Sequence, residues 1–293
     1  MTDQGSATTK AKATARVEAK ADRTVLTTGA NSGIGLATVL ELARRGYHSV
    51  GSVRSEAKAD VVAKAAAEAG VRVDTILLDV ADAEQCHRAI SGMRLYGLVN
   101  NAGYGQVGAI EDVDDAEAHH LFETMVFGPM RLARLALPSM RERGGGRIVN
   151  VSSIAGRTTV PFAGWYQAAK HALEALSDAM RIELAGSGVK VVVVEPGGFK
   201  TGIWDEFERD IARHEAEGSR YAPAYRRSLR GQRLLEPIMG NPKHVAKTIV
   251  SAIESRAPRA RYLVGLDAQV LNLAESMTPT AIKDRVIRLG LGI

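Results

Sequence analysis

Residues 24–46 read TVLTTGANSGIGLATVLELARRG, and the order of what they contain decides the fold. A short apolar run at 24–28 ends at Gly29, further glycines follow at 33 and 35, and helical spacing begins at Leu36. Buried strand, tight turn and helix in that order open a βαβ unit. Gly29, Gly33 and Gly35, with Ser32 and Ile34 among them, let the backbone turn sharply and approach a pyrophosphate, whose charge a helix N-terminus favours. The spacing is G-x-x-x-G-x-G, not the commoner G-x-G-x-x-G.

The alternation continues down the chain. Apolar runs at 48–53, 74–80, 96–103, 147–153 and 189–197 read as buried strands, with a seventh at 261–265. Segments with helical spacing lie between them, near 34–45, 56–69, 82–92, 115–142 and 165–186. This pattern predicts an α/β fold: a doubly wound (Rossmann) parallel seven-stranded sheet with helices on both faces. Residues 203–240 break the rhythm, being polar and charged with Trp204, Phe207, Tyr221 and Tyr225 among them. An insertion of that length directly after a strand's C-terminal end is expected to be a substrate lid. In the tail, Ile282, Val286 and Leu289 are expected to pack against the domain or a partner subunit. Residues 1–22, rich in Ala, Thr and Lys, read as a flexible tail, and 23–293 as one dinucleotide-binding domain.

Composition narrows the function classes. The 293 residues are 45% hydrophobic and 24% charged, with a net charge of +5. The basic residues are scattered, so nucleic-acid binding rests on net charge alone, and a solvated basic surface is the preferred reading. No apolar run approaches a membrane span, and no apolar secretory core stands at the N-terminus. The single Cys86 excludes an internal disulfide and fits a reducing cytoplasm. The seven histidines are dispersed, so no metal is expected.

The end of the second strand chooses the cofactor. An acid there would bind the ribose 2′-hydroxyl of NAD(H); the sequence instead has Val53 and then Arg54. Guanidinium suits a 2′-phosphate in charge and geometry, so NADP(H) is favoured over NAD(H).

TGANSGIG (28–35), NNAG (100–103), Ser153 thirteen residues before Tyr166, Tyr-x-x-x-Lys (166–170) and PGGFKT (196–201) occur in one chain and in that order. Each is modest evidence alone, but together they are specific. The chain resembles the short-chain dehydrogenases/reductases over roughly 23–265. Its opening motif, EPGGFKT segment and RYLVG tail look most like the branch of 17β-hydroxysteroid dehydrogenases and carbonyl reductases. The resemblance implies that Asp79 and Val80 contact the adenine and that Asn101, Ala102 and Gly103 line the cofactor cleft. It places Pro196, Gly197 and Thr201 at the nicotinamide end, and implies a homodimer or homotetramer built on the helices at 115–142 and 165–186. NNAG also has a structural reading, as a tie between central strands.

Tyr166, Lys170 and Ser153 carry the chemistry. Reducing a ketone needs a hydride on carbon and a proton on oxygen. A free phenol titrates near 10, and an ammonium one helical turn away is expected to lower it by stabilising the phenolate. Ser153, at a strand end, would orient the substrate oxygen, and Lys170 would also hold the nicotinamide ribose. The family pattern departs at one position: where an asparagine is usual, in a pattern like N-V-x-G, this chain has Met125. A thioether makes no amide hydrogen bonds, although the backbone carbonyl survives the change. The leading expectation is therefore an NADP(H)-dependent oxidoreductase interconverting a ketone and a secondary alcohol on a small hydrophobic substrate. Its rival is an NADP(H)-binding sensor or scaffold with little turnover.

Overall fold

The structure, a computed structural model, describes residues 20–293; the tail expected at 1–22 lies outside the described residues except for its last three. Seven strands form one sheet: β1 (Thr24–Thr27), β2 (His48–Val53), β3 (Asp74–Leu77), β4 (Leu95–Asn100), β5 (Gly146–Val151), β6 (Val189–Pro196) and β7 (Arg261–Val264). Every pairing is parallel and the spatial order is β3-β2-β1-β4-β5-β6-β7. The doubly wound sheet expected from the alternation is therefore present, with its order reversing between β1 and β4. The carboxyl ends of those two strands diverge into a crevice.

Successive strand residues face opposite sides, and the core divides accordingly. Leu26, Leu98, Ile148 and Val191 point to one face and pack with α3 (Ala83–Ile90) and α5 (Gly128–Glu142) through Cys86, Leu132, Ala136 and Met140. Their neighbours Val25, Val99, Val149 and Val192 point to the other face. There they meet α1 (Gly33–Arg44) and α9 (Pro242–Glu254) through Leu42, Val245, Ile249 and Ile253. Helix α2 (Glu56–Glu68) covers β2 and β3, and α6 (Gly164–Glu183) lies along β6. Sheet strands buried on both faces are why these segments read as continuous apolar runs rather than alternating ones.

Two boundaries differ from the sequence expectation. The run at 74–80 leaves the ladder after Leu77, because the Asp79 carboxylate accepts the Ala81 N–H (3.0 Å) and starts a turn. The long helix expected at 115–142 is divided into α4 (Asp115–Phe122), a π turn at Glu123–Phe127 and α5. Pro129 has no N–H to donate to the Met125 carbonyl four residues back, so the turn widens and Gly128 N–H donates to Glu123 O instead. Gly128 also lies against the β3–α3 connection, where a Cβ would sit 2.7 Å from Val80 O.

Beyond β6 come α7 (Ile203–Ala216) and α8 (Ala222–Leu235), two helices that pack together through Phe207, Ile211 and Tyr225. After β7 follow α10 (Leu266–Met277) and α11 (Thr280–Leu291). Their apolar positions Val270, Met277, Ile282, Val286 and Leu289 are exposed, so the domain itself does not cover the three tail residues. Among the described residues, no helix is long and apolar enough to cross a membrane.

Gly128→Ala is expected to lower unfolding free energy by about 1–3 kcal/mol, because the new methyl must displace the Val80 backbone. Urea denaturation compared with the wild type measures it, and an unchanged midpoint would show that this contact is slack.

Candidate functional site

The crevice at the switch point is built around Asn101. Its Nδ2 donates to Thr28 O (2.9 Å) and Gly29 O (3.3 Å), while Thr28 Oγ1 accepts the N–H groups of Asn101 (3.0 Å) and Ala102 (2.9 Å). The side chain clamps the glycine loop to the end of β4. Asn100, one residue earlier, ties β4 to β5 by donating to Asn150 Oδ1 (2.8 Å), and Asn150 passes the tie to Ser177 Oγ (2.8 Å). The structural reading of NNAG is therefore realised in both asparagines.

The clamp leaves the start of α1 facing the crevice. Ser32 is its N-cap and its hydroxyl makes no capping bond. The first intrahelical bond runs from Leu36 N–H to Ser32 O (3.0 Å), which leaves the Gly33, Ile34 and Gly35 amides at the open end. Gly33 has φ +52°, and a Cβ on Gly35 would collide with Gly29 O. Backbone alone lines this cradle, and an anion can approach it closely. Arg54 is exposed immediately past β2. Asp79 and Val80 are fixed by Asp79 N–H donating to Gln85 Oε1 (2.9 Å) and by Arg131 Nη1 donating to Val80 O (3.0 Å). Thr201 faces Gly33, and Gly197 and Gly198, which follow Pro196, are held by Asp267, which accepts Gly198 N–H (2.5 Å). Gly29, Gly33, Gly35, Asn101, Ala102 and Thr201 are thus brought together at the ends of β1 and β4. Bare backbone and an open helix end fit the pyrophosphate of a dinucleotide.

Ser153, Tyr166 and Lys170 meet at the adjoining wall. Ser153 Oγ caps the short turn Ile154–Gly156 by accepting Ala155 N–H (3.2 Å), and lies 3.5 Å from Pro196 O. Tyr166 and Lys170 are both buried on α6, with Lys170 Nζ 5.7 Å from the phenol ring centre. Lys170 Nζ donates to Val151 O (3.0 Å). Burial lowers this ammonium to about 8, against the opposing pull of the Glu174 carboxylate. The phenol is not lowered as expected: burial pushes Tyr166 up to about 12, the Ser153 hydroxyl offsets part of this, and the Glu206 charge adds to it. Removing water from a phenolate costs more here than the lysine returns. Tyr166 is consequently a protonated donor in the neutral range. Met125 is buried, and its Cε lies 2.8 Å from where a Gly103 Cβ would be.

Residues of α7 complete this wall: Trp204 and Phe207, expected in the lid, and Glu206, Asp210 and His214, which motif reading missed. Phe207 stands edge-on to Tyr166 (6.3 Å) and Trp204 edge-on to Phe207 (5.5 Å). Glu206 Oε2 accepts Gly105 N–H (2.7 Å), Asp210 Oδ2 accepts Val107 N–H (3.0 Å), and the His214 ring pairs with Val107 O (3.0 Å). Burial raises both carboxyl groups. The spacing 206–210–214 is one helix face, a signal the sequence does carry. A cavity of about 350 Å³ separates the glycine loop from this helix pair, bordered by Gly33, Thr201, Trp204 and Arg233. A larger one, about 700 Å³, lies at the opposite end of the strands around Tyr47, Tyr96 and Arg147, away from all these residues. Among the described residues, no cluster of His, Cys, Asp and Glu is suited to a metal.

The short chain dehydrogenase family model matches residues 23–212. The chain belongs to the short-chain dehydrogenase/reductase family. It is 33% identical to the uncharacterized oxidoreductase YusZ of Bacillus subtilis, covering 90% of this chain and 96% of that one. It is 34% identical to bovine (Bos taurus) retinol dehydrogenase 8, over 89% and 88% of the two chains. Among solved structures it is similar to a short-chain dehydrogenase from Streptomyces avermitilis (32% identity, TM-score 0.73, covering 90% and 94%). It is also similar to a single-residue variant of actinorhodin polyketide ketoreductase crystallised with NADPH (27% identity, TM-score 0.73, covering 86% and 98%). The chain is thus an oxidoreductase of a family that acts on CH–OH groups.

The buried lysine gives this oxidoreductase a pH signature. The folded protein releases the Lys170 proton near pH 8, whereas the unfolded chain holds it to about 10.5. Between those values the unfolded state binds more protons, so stability rises with pH by up to roughly 3 kcal/mol. Tyr166 acts the other way above pH 10, where the unfolded phenol ionises first. Urea unfolding of the ligand-free protein from pH 7 to 10 should show the rise, and Lys170→Met should flatten it.

Proposed function

We propose that this protein interconverts a ketone and a secondary alcohol on a small hydrophobic substrate, using NADP(H) in preference to NAD(H). The observation that carries the reading is a protonated, buried Tyr166 placed with Ser153 and Lys170 beside a backbone cradle for pyrophosphate. Gly29, Ser32, Gly33, Ile34 and Gly35 would hold the pyrophosphate, Arg54 the 2′-phosphate, Asp79 and Val80 the adenine. Asn101, Ala102, Gly103, Pro196, Gly197 and Thr201 would border the remainder, with Lys170 on the nicotinamide ribose. NADPH supplies the hydride when bound. Ser153 Oγ orients the substrate oxygen, Tyr166 Oη gives it a proton, and the Lys170 charge stabilises the phenolate left behind.

The pair α7–α8 acts as the substrate lid. Phe207, edge-on to Tyr166 and backed by Trp204, favours an apolar substrate, in keeping with the resemblance to the hydroxysteroid dehydrogenase and carbonyl reductase branch. The retinol dehydrogenase relative is named for an alcohol of that character. The exposed apolar positions on α10 and α11 fit a homodimer or homotetramer, and the buried, unpaired Cys86 suits a cytoplasmic setting. A second reading, an NADP(H)-binding sensor with little turnover, is favoured by one observation, Met125 in place of the usual asparagine.

NADPH oxidation in the presence of a ketone panel tests the first reading. Tyr166→Phe is expected to cut kcat about 10²–10⁴-fold with NADPH affinity retained. Tight NADPH binding with no turnover on any ketone, unaltered by Tyr166→Phe, would establish the sensor. Arg54→Ala should lower the ratio of kcat/KM for NADPH over NADH by roughly 10–100-fold, the value of one charge-assisted contact.

A further inference from the structure

Tyr166, Lys170, Glu174 and Asp178 follow one another at intervals of four along α6, so they form a single row on one face of the helix. Burial falls along that row. Tyr166, Lys170 and Glu174 are 7%, 6% and 7% exposed, whereas the Asp178 side chain is 37% exposed. An unbroken series of titratable groups therefore leads from the phenol to the surface.

One guanidinium bridges the outer two members of this row, whereas the inner two are held separately, Lys170 by Val151 O and Tyr166 beside Ser153. Arg261 Nε donates to Glu174 Oε2 (3.1 Å) and Arg261 Nη2 to Asp178 Oδ2 (2.5 Å), spanning the last two members. Asp178 also accepts from Arg181 (3.0 Å). From β6, Glu195 is fully buried, pairs with Arg157 and lies 3.6 Å from Arg261 Nε. The other carboxylate oxygen, Glu174 Oε1, is buried without a donor, and so are Ser152 Oγ and Glu195 Oε2. Burial raises Glu195, and the Glu174 carboxyl group lying against it adds to this. Ser152 lies next to the Val151 carbonyl that Lys170 Nζ holds. Gly156 lets Ser152 and Glu174 face the same space: a Cβ there would lie 2.8 Å from Ser152 Oγ and 3.1 Å from Glu174 Cγ. Buried polar atoms left without a protein partner are commonly joined by ordered water.

We propose that Glu174 is the proton relay of this enzyme, returning to Lys170 the proton that Tyr166 spends, by way of a water held between Ser152 and Glu174. It rests on the reading of Tyr166 and Lys170 as the proton-donating pair. For each ketone reduced, one proton leaves Tyr166 Oη for the substrate oxygen and is replaced from Lys170 Nζ. Glu174 re-protonates Lys170, and takes its own proton from solvent at Asp178. One proton enters per turnover and no charge accumulates. Glu174 touches neither substrate nor cofactor; it acts through Lys170. The row supplies what the Met125 side chain lacks, a carboxylate whose charge is felt at the buried ammonium.

Hydrogen exchange at Lys170 Nζ, followed by NMR on ¹⁵N-lysine-labelled protein without cofactor or substrate, tests this independently of turnover. Lys170→Arg assigns the signal. Glu174→Gln is expected to slow exchange at least fivefold and to move the Lys170 titration further down, since a carboxylate that raised it is gone. Asp178→Asn, at the exposed end, is expected to slow exchange at least twofold. In turnover, Glu174→Gln should lower kcat about fivefold or more and enlarge the solvent isotope effect, with KM and NADPH affinity held. Met125→Asn added to Glu174→Gln should restore part of the rate. Unchanged exchange in a folded Glu174→Gln would overturn the proposal and give the role to the Met125 carbonyl. If Glu174→Gln does not fold, unchanged exchange in Asp178→Asn overturns it equally. Slowed exchange in a protein that reduces no ketone would leave the row in place and refute the oxidoreductase chemistry instead.

Discussion

The amide of Asn101 ties together the two connections that leave β1 and β4 for opposite faces of the sheet. At the switch point the chain leaves β1 towards one face of the sheet and β4 towards the other, and the ladder between them ends where Thr28 N–H donates to Val99 O (3.0 Å), so the connections beyond it need another tie. Asn101 Nδ2, shared between Thr28 O and Gly29 O, secures them and sets the direction in which α1 begins. Had the glycine loop moved, the open amides of Gly33, Ile34 and Gly35 would no longer face the wall that carries Tyr166. The tie extends inward through Asn100, Asn150 and Ser177 to α6, the helix that holds Tyr166 and Lys170. One chain of buried amides therefore registers the cradle against the proton donor.

Burial then sets the chemistry of that donor. A phenol and an ammonium at a helix surface would keep ordinary titration ranges; removed from water they move in opposite directions, up for Tyr166 and down for Lys170. Each shift opposes the charged form. Transfer of a proton out of this pair is consequently governed by which charges are added to the wall. Glu206 and Glu174 are the two carboxylates already there, one acting on the phenol from the lid and the other on the ammonium from the helix.

Much of this is legible in the sequence. The strand–loop–helix at 24–46, the alternation after it and the four-residue spacing of Tyr166 and Lys170 depend on local periodicity, which survives in one dimension. The π turn is not legible as such, although its cause, Pro129 four residues after Met125, is plain once the break is seen. The lid carboxylates escape because their partners, Gly105 and Val107 N–H, lie about a hundred residues away and belong to backbone that carries no motif. Asp267 escapes for the same reason, since a single acid gives no sign that it holds a distant glycine. Spacing misjudges the Tyr166 pKa because it shows the neighbouring cation but not the water that burial removes.

Met125 and the π turn are linked by geometry. Pro129 leaves the Met125 carbonyl without its usual helical donor, and the Met125 side chain fills the space beneath Gly103, between the cofactor wall and Tyr166. An asparagine in that place would present an amide to a wall that is otherwise apolar, where Leu121, Val126 and Ala169 pack with Tyr166. Methionine instead completes the packing, and a flexible thioether suits the irregular gap a widened turn creates. The charged groups then lie on α6, β6, β7 and the turn after β5, where Glu174, Glu195, Arg261 and Arg157 form a connected set. The wall is apolar on the Met125 side and charged on the other, so the titratable groups nearest Lys170 in the chain lie along the helix that already carries Tyr166.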